Sequence, residues 1–257
     1  MNELYYLYCL SSTPITLPAR FIQKKVGELF VIHSLVSPQI FGQEALDKQI
    51  KDIEWVTTQA QAHSEIIQQC HAQASIIPMR FPTLFTTWEG VQASVIPYES
   101  IYTDFLAKIN GKSEWTVRFY AHESHLATHL EHNTPELLQL KTAIEQASAG
   151  KAFILKKQYE QALHIHIDAF IQQKMHAFLQ SLQPIEGKQI ALNYAQEDQE
   201  THKIIGKYVF LVHNTEQEAF INNLQQFQTA HTSEGLSLQY SGGWAIYHFL
   251  PIENKGS

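Results

Sequence analysis

Hydrophobic positions change period several times along the chain, and each change marks an element. Leu4 to Leu10 is a short apolar run rich in tyrosine, which predicts a buried strand. Ser11 to Arg20 carries Pro14 and Pro18 and reads as a loop. Glu28 to Leu35 predicts a second strand, ended by Ser37-Pro38. Leu46, Ile50, Ile53, Val56, Ala60, His63, Ile67, Cys70 and Ala74 then recur at steps of three and four, the stripe of one long amphipathic helix. Ser75 to Leu84 is apolar again, but Pro78 and Pro82 restrict it to an edge or bulged strand. Glu89 to Ile109 returns to helical period, with Pro97 interrupting it and Asn110-Gly111 stopping it. Trp115, Val117 and Phe119 alternate with Thr116, Arg118 and Tyr120 as another strand.

Ala121 to Gly150 is polar and rich in His, Glu and Gln, a helical connector broken near Asn133-Thr134-Pro135. A long helix follows, with Leu155, Tyr159, Leu163, His166, Ile167, Phe170, Lys174, Phe178 and Leu182 on its stripe, ended by Pro184 and Gly187. Ile190, Leu192 and Tyr194 alternate as a strand. Lys207 to His213 is continuously apolar, which predicts a central strand. Asn214 or Thr215 caps a helix carrying Ala219, Leu224 and Phe227, and Gly235 stops it. Leu236, Leu238 and Tyr240 begin the closing strand. Gly242-Gly243 interrupts it, and Trp244 to Phe249 continues it with large residues on both faces. The fold class is α+β, with two α/β sandwiches of mostly antiparallel sheet and helices on one face. The expected divisions are a first domain over 1–121, the His-rich connector over 122–149, a second domain over 150–251 and a tail over 252–257. No internal repeat relates the halves.

Charge narrows the function classes. Eighteen basic against 25 acidic residues give a net charge of −7, so nucleic acid and anionic membrane are not expected partners. Cys9 and Cys70 are too few for a disulfide framework and read as buried thiols of a reducing, cytoplasmic compartment. The N-terminus lacks a basic region, and its apolar run is too short for a leader or a membrane span.

The strongest lead to chemistry is His122, His125, His129 and His132. On a helix they share one narrow face, as a zinc or nickel site would require. The pattern is not H-E-x-x-H, Glu123 is at the wrong offset for a base, and no cysteine is near, so a solvated or partner-facing helix explains it equally. Gly150-Lys151 lacks the rest of a phosphate-binding loop, and no nucleophile elbow or dinucleotide motif occurs. Glu197, Asp198 and Glu200 read as a solvated hairpin tip, Arg80 as a part-buried structural ion pair, and Trp55, Trp88, Trp115 and Trp244 as mostly core. Catalytic, cofactor and metal residues are therefore assigned to none. A metal- or small-ligand-binding sensor module using the histidine face is the alternative.

Several segments together resemble one family. Tyr6-Leu7-Tyr8-Cys9-Leu10 is similar to its opening strand, and Phe41-Gly42 through Trp55 to Glu65 to its first helix. Ile77 to Phe85 resembles its next strand, with Pro82 where glycine is usual. Glu114 to Tyr120 matches the strand closing its first domain, and Gly150 to Lys157 the start of its second. Gly242 to Phe249 stands where its closing signature carries three prolines that this chain has lost. In this order the segments resemble the GvpL/GvpF family of gas-vesicle proteins across nearly the whole chain. The resemblance implies two domains resembling ferredoxin-like folds, no catalysis and no cofactor. It also implies a cytoplasmic or vesicle-associated role in gas-vesicle formation. The partners it implies are the hydrophobic shell protein, which this chain would bind or chaperone, and other accessory proteins.

Overall fold

The computed structural model describes residues 3–182, 185–192 and 203–251. The chain forms two compact units: Met1–Glu114 with Gly242–Ser257, and Trp115–Ser241.

The first unit is built on β1 (Leu4–Ser11), β2 (Ile22–Val26), β3 (Leu29–Val36) and β4 (Ile76–Phe85), in the order β2-β3-β1-β4. Its adjacent pairs are antiparallel. β4 lies at the edge, as its prolines require, with a cis Phe81–Pro82 bond and a register irregularity opposite Leu7 and Cys9. β2 escaped the sequence reading because it is the other edge. Its pattern Ile-Gln-Lys-Lys-Val buries only Val26, so no apolar alternation marks it.

The expected single helix over 46–74 is divided. α1 (Pro38–Phe41) and α2 (Gln43–Gln49) precede α3 (Ile53–His71). Asp52 caps α3, its carboxylate accepting from the amides of Glu54 at 3.0 Å and Trp55 at 3.2 Å. His63, Ile66, Ile67 and Cys70 face the core, whereas Ile50 and Ile53, placed on the stripe by periodicity alone, are 67% and 75% exposed. Pro97 splits the next helix as expected, into α4 (Trp88–Val95), a 3-10 turn and α5 (Glu99–Lys108).

The second unit contains β5 (Lys112–Ala121, from Trp115), α6 (Glu123–Asn133), α7 (Pro135–Glu145), α8 (Ala149–Ser181), β6 (Glu186–Ile190), β7 (Lys203–His213), α9 (Gln217–His231) and β8 (Leu236–Trp244). The sheet order is β6-β7-β5-β8. With α6–α8 as the crossover from β5 to β6 and α9 as that from β7 to β8, this is the split βαβ order of ferredoxin-like folds. The first sheet has the same order, with a loop in place of its first crossover helix. β7 is interior, as its unbroken apolar run predicted. One face of the second sheet (Trp115, Val117, Phe119, Phe210, Val212, Leu236 and Leu238) packs on Met175, Phe178 and Leu182 of α8, and on Phe220, Leu224 and Phe227 of α9.

Three expectations change. The strand over 115–120, read as closing the first domain, is an interior strand of the second sheet. The 122–149 segment is no free connector: Leu126, Leu130 and Leu137 are buried, and its helices begin the crossover. The closing segment does not end the second sheet beyond Trp244. Ala245 is fully buried with Cys9, Ile32, Ile67 and Cys70 in the first unit. Tyr194, the acidic cluster at Glu197, Asp198 and Glu200, Pro184 and the 252–257 tail lie outside the described residues. No helix among the described residues is long and apolar enough to cross a membrane.

Candidate functional site

A long concavity lies within the second unit. α8 has 33 residues and is about 50 Å long at 1.5 Å per residue, longer than the strands beneath it. Leu163, Ile167, Ile171, Met175 and Leu179 recur every fourth residue and form one ridge along it. This ridge faces Ile204, Ile205 and Tyr208 of β7 and Ala121 of β5 across a groove of about 1040 Å³. The floor is apolar. The rim carries the exposed Glu123, Glu160, His164, Asp168, His176 and Lys203. Burial raises the Tyr208 hydroxyl above its ordinary range, so it meets the groove as a neutral group. Such a groove suits an apolar helical segment with a polar or basic flank. Among its described lining residues no nucleophile is paired with a base.

The histidine face does not converge. His122 precedes α6, and its amide donates to the Gly235 carbonyl at 2.8 Å. Its ring stacks on His125 at 5.3 Å. His129 turns instead to Phe170 and lies 4.0 Å from Glu234. The His132 Nδ1–H donates to the Thr128 carbonyl at 2.7 Å. Among the described residues no three His, Cys, Asp or Glu side chains are grouped to hold a metal ion. Glu234 is the polar hub here. It accepts from His231 at 2.5 Å and Lys174 at 3.1 Å. Burial alone would raise its pKa, but these two partners hold it below the ordinary carboxylate range. Further along, Glu131 accepts from Lys141 at 2.9 Å and from the Tyr159 hydroxyl, and Glu136 meets His166 at 2.9 Å. These contacts join α6 and α7 to α8. Gly150-Lys151, rejected above as a phosphate loop, is the first turn of α8.

The first unit holds a buried polar cluster that the sequence did not reveal. The Tyr6 hydroxyl and the Met79 carbonyl lie 3.0 Å from Nδ1 and Nε2 of His63, respectively. A carbonyl can only accept, so Nε2 carries the proton and Nδ1 accepts from Tyr6. Tyr8 stacks on the same imidazole at 5.4 Å. Burial lowers the pKa of His63, as it does for His33 and His71. Cys9 and Cys70 are buried free thiols in this unit, as expected. Arg80 is exposed rather than part-buried. Of the four tryptophans, Trp88 and Trp115 are buried, Trp55 is intermediate and Trp244 is 44% exposed.

Comparison with known proteins bears on this arrangement. Gas vesicle protein L of Haloferax mediterranei is 23% identical over 187 residues, covering 68% of this chain and 55% of that protein. Gas vesicle protein L of Streptomyces sp. strain CB03234 is 24% identical over 95 residues, 37% of this chain and 36% of that one. The matches thus span about a third to a half of these relatives' own length. The crystal structure of gas vesicle protein GvpF from Anabaena sp. PCC7120 superposes with a TM-score of 0.71 at 17% identity, covering 98% of this chain and 99% of that one. The GvpF structure from Microcystis aeruginosa gives 0.64 at 16%, covering 98% and 100%. Both share the fold. The model of the family described as gas vesicle synthesis protein GvpL/GvpF matches residues 4–251, and the chain belongs to that family.

Proposed function

We propose that this chain is a non-enzymatic assembly factor that binds the hydrophobic gas-vesicle shell protein before it polymerises. The observation that carries the reading is the apolar groove beneath α8, in a chain whose family is that of gas-vesicle synthesis. Shell subunits present apolar surface until they join the wall, and a groove with an apolar floor and polar rim would cover part of it. The binding requires no titrating pair and no cofactor. Other accessory proteins of the vesicle are further partners on this reading, in the cytoplasm and at the growing vesicle.

The test is capture of the shell protein by the full-length chain, compared with Ile167→Glu and Ile171→Glu variants whose fold is verified by circular dichroism. The wild type retains the shell protein and the groove variants lose most of it. Equal capture by all three, or none by the wild type, overturns the proposal. Deleting the gene in a vesicle-forming host abolishes or deforms the vesicles on this reading; normal vesicles, with no paralogue compensating, count against it.

A further inference from the structure

The helix α8 packs on its own unit along one stripe and leaves the opposite side uncovered. On that side Lys151, Ile154, Gln158, Gln161, Ile165 and Asp168 are all exposed, with Asp168 at the border that this side shares with the groove. They recur at alternating steps of three and four residues, the spacing of a coiled-coil seam. Ile154 and Ile165 are each 58% exposed, unusually bare for isoleucines in the middle of a helix.

The order along this seam is Lys, Ile, Gln, Gln, Ile, Asp. Read backwards it is the same, with the charges exchanged. We propose that α8 pairs antiparallel with α8 of a second copy of this chain, about a two-fold axis between Gln158 and Gln161. Lys151 then faces Asp168 of the second copy, Ile154 faces Ile165, and Gln158 faces Gln161, each contact occurring twice by symmetry. The isoleucine layers exclude water. The glutamine layer pairs amide with amide and fixes the register, the use to which a polar seam position is put. A parallel pair would set Lys151 on Lys151 and Asp168 on Asp168, so charge selects the antiparallel arrangement. Asp168 also lies 3.6 Å from His164 of its own helix, an exposed pair that competes weakly.

A second copy is the occupant because this face complements itself in both charge and apolarity. The seam spans about 26 Å of helix. One helix pair buries less than about 1,200 Å², the low end of specific interfaces, so a micromolar and concentration-dependent dimer is expected.

Sedimentation equilibrium of the full chain tests this, from about 1 to 500 µM, the range that brackets such an affinity. The mass rises from 29.4 kDa toward twice that value. Lys151→Asp alone and Asp168→Lys alone each place two like-charged contacts in the dimer and weaken it by about tenfold or more. An equimolar mixture of the two variants restores association, because every charged contact between the two chains is again of opposite sign. Ile154→Asp abolishes the dimer with the helical circular dichroism signal intact. A wild type monomeric throughout the range, variants that dimerise like it, or a mixture that stays monomeric each overturn the proposal.

Discussion

Glu114 and His248 meet through both main chain and side chain. The buried carboxylate accepts the His248 amide at 2.8 Å on one oxygen and the imidazole Nδ1–H at 2.6 Å on the other. The Tyr247 amide donates to the first oxygen as well, at 3.0 Å. One side chain thus satisfies two main-chain donors of a segment that forms no strand. Glu114→Ala leaves all three donors without this acceptor and should cost about 2–4 kcal/mol. Glu114→Gln keeps an accepting oxygen and should cost less. Limited proteolysis reads the effect directly: cleavage within Trp244–Phe249 accelerates in the alanine variant. An unchanged digestion pattern would show that the segment is held by its apolar contacts alone.

Acid should destabilise the first unit. His33 and His63 are buried and His71 is part-buried, each with a pKa lowered chiefly by desolvation, so the unfolded chain binds their protons more tightly. Stability is full above the unfolded value, about pH 6.5, and is lost as pH falls below it toward the folded values. The slope is at most about 1.4 kcal/mol per pH unit for each histidine. Calorimetric melting at a series of pH values checks this. His63→Gln retains an acceptor for Tyr6 and a donor for Met79 without titrating, and its melting temperature should depend less steeply on pH.

Phe119 holds the second core together. It is 1% exposed, with the rings of Phe178, Tyr208 and Phe227 edge-on to it at 5.5–5.8 Å. Phe119→Ala should cost about 3–5 kcal/mol, because so many neighbours cannot all close the void. Chemical denaturation followed by tyrosine and tryptophan fluorescence measures it. A loss under about 1 kcal/mol would mean the core collapses into the space.

Two glycines at positive φ should respond differently to alanine. At Gly235, φ +102°, an added Cβ would lie 2.7 Å from the Leu126 main-chain nitrogen, where the start of α6 cannot yield. Gly235→Ala should cost more than about 2 kcal/mol. At Gly243, φ +76°, nothing lies within 4 Å. Only backbone strain remains there, about 1 kcal/mol. The two melting temperatures, compared side by side, check the order.

Periodicity was most informative where one element buries one face. The α8 stripe, the Pro97 break, the edge character of β4 and the interior position of β7 were all legible, because each is set by residues close together in sequence. The breaks at Asp52 and at β2 were not. A cap is a local hydrogen bond inside an unbroken apolar period, and an edge strand needs no buried face. Of the candidate site, Leu163 and Ile167 stood on the expected α8 stripe, but Ile171, Met175 and Leu179 of the ridge did not. The facing residues on β7 and β5 were not visible, since a groove exists only once a sheet is assembled. The histidine spacing was visible, but spacing on one helix does not make rings converge.

Sequence by itself determined the type of nearly every element, the absence of a motif for known chemistry and the likeness to one family. Tertiary structure decided which sheet each strand joins. Backbone amides and carbonyls are the same in every strand, so nothing within Trp115–Tyr120 states that its neighbours are β7 and β8, far along the chain. It also decided where the aromatic closing segment belongs. Ala245 and Tyr247 suit either apolar core, and the buried Glu114 carboxylate, 133 residues before Tyr247, fixes them in the first.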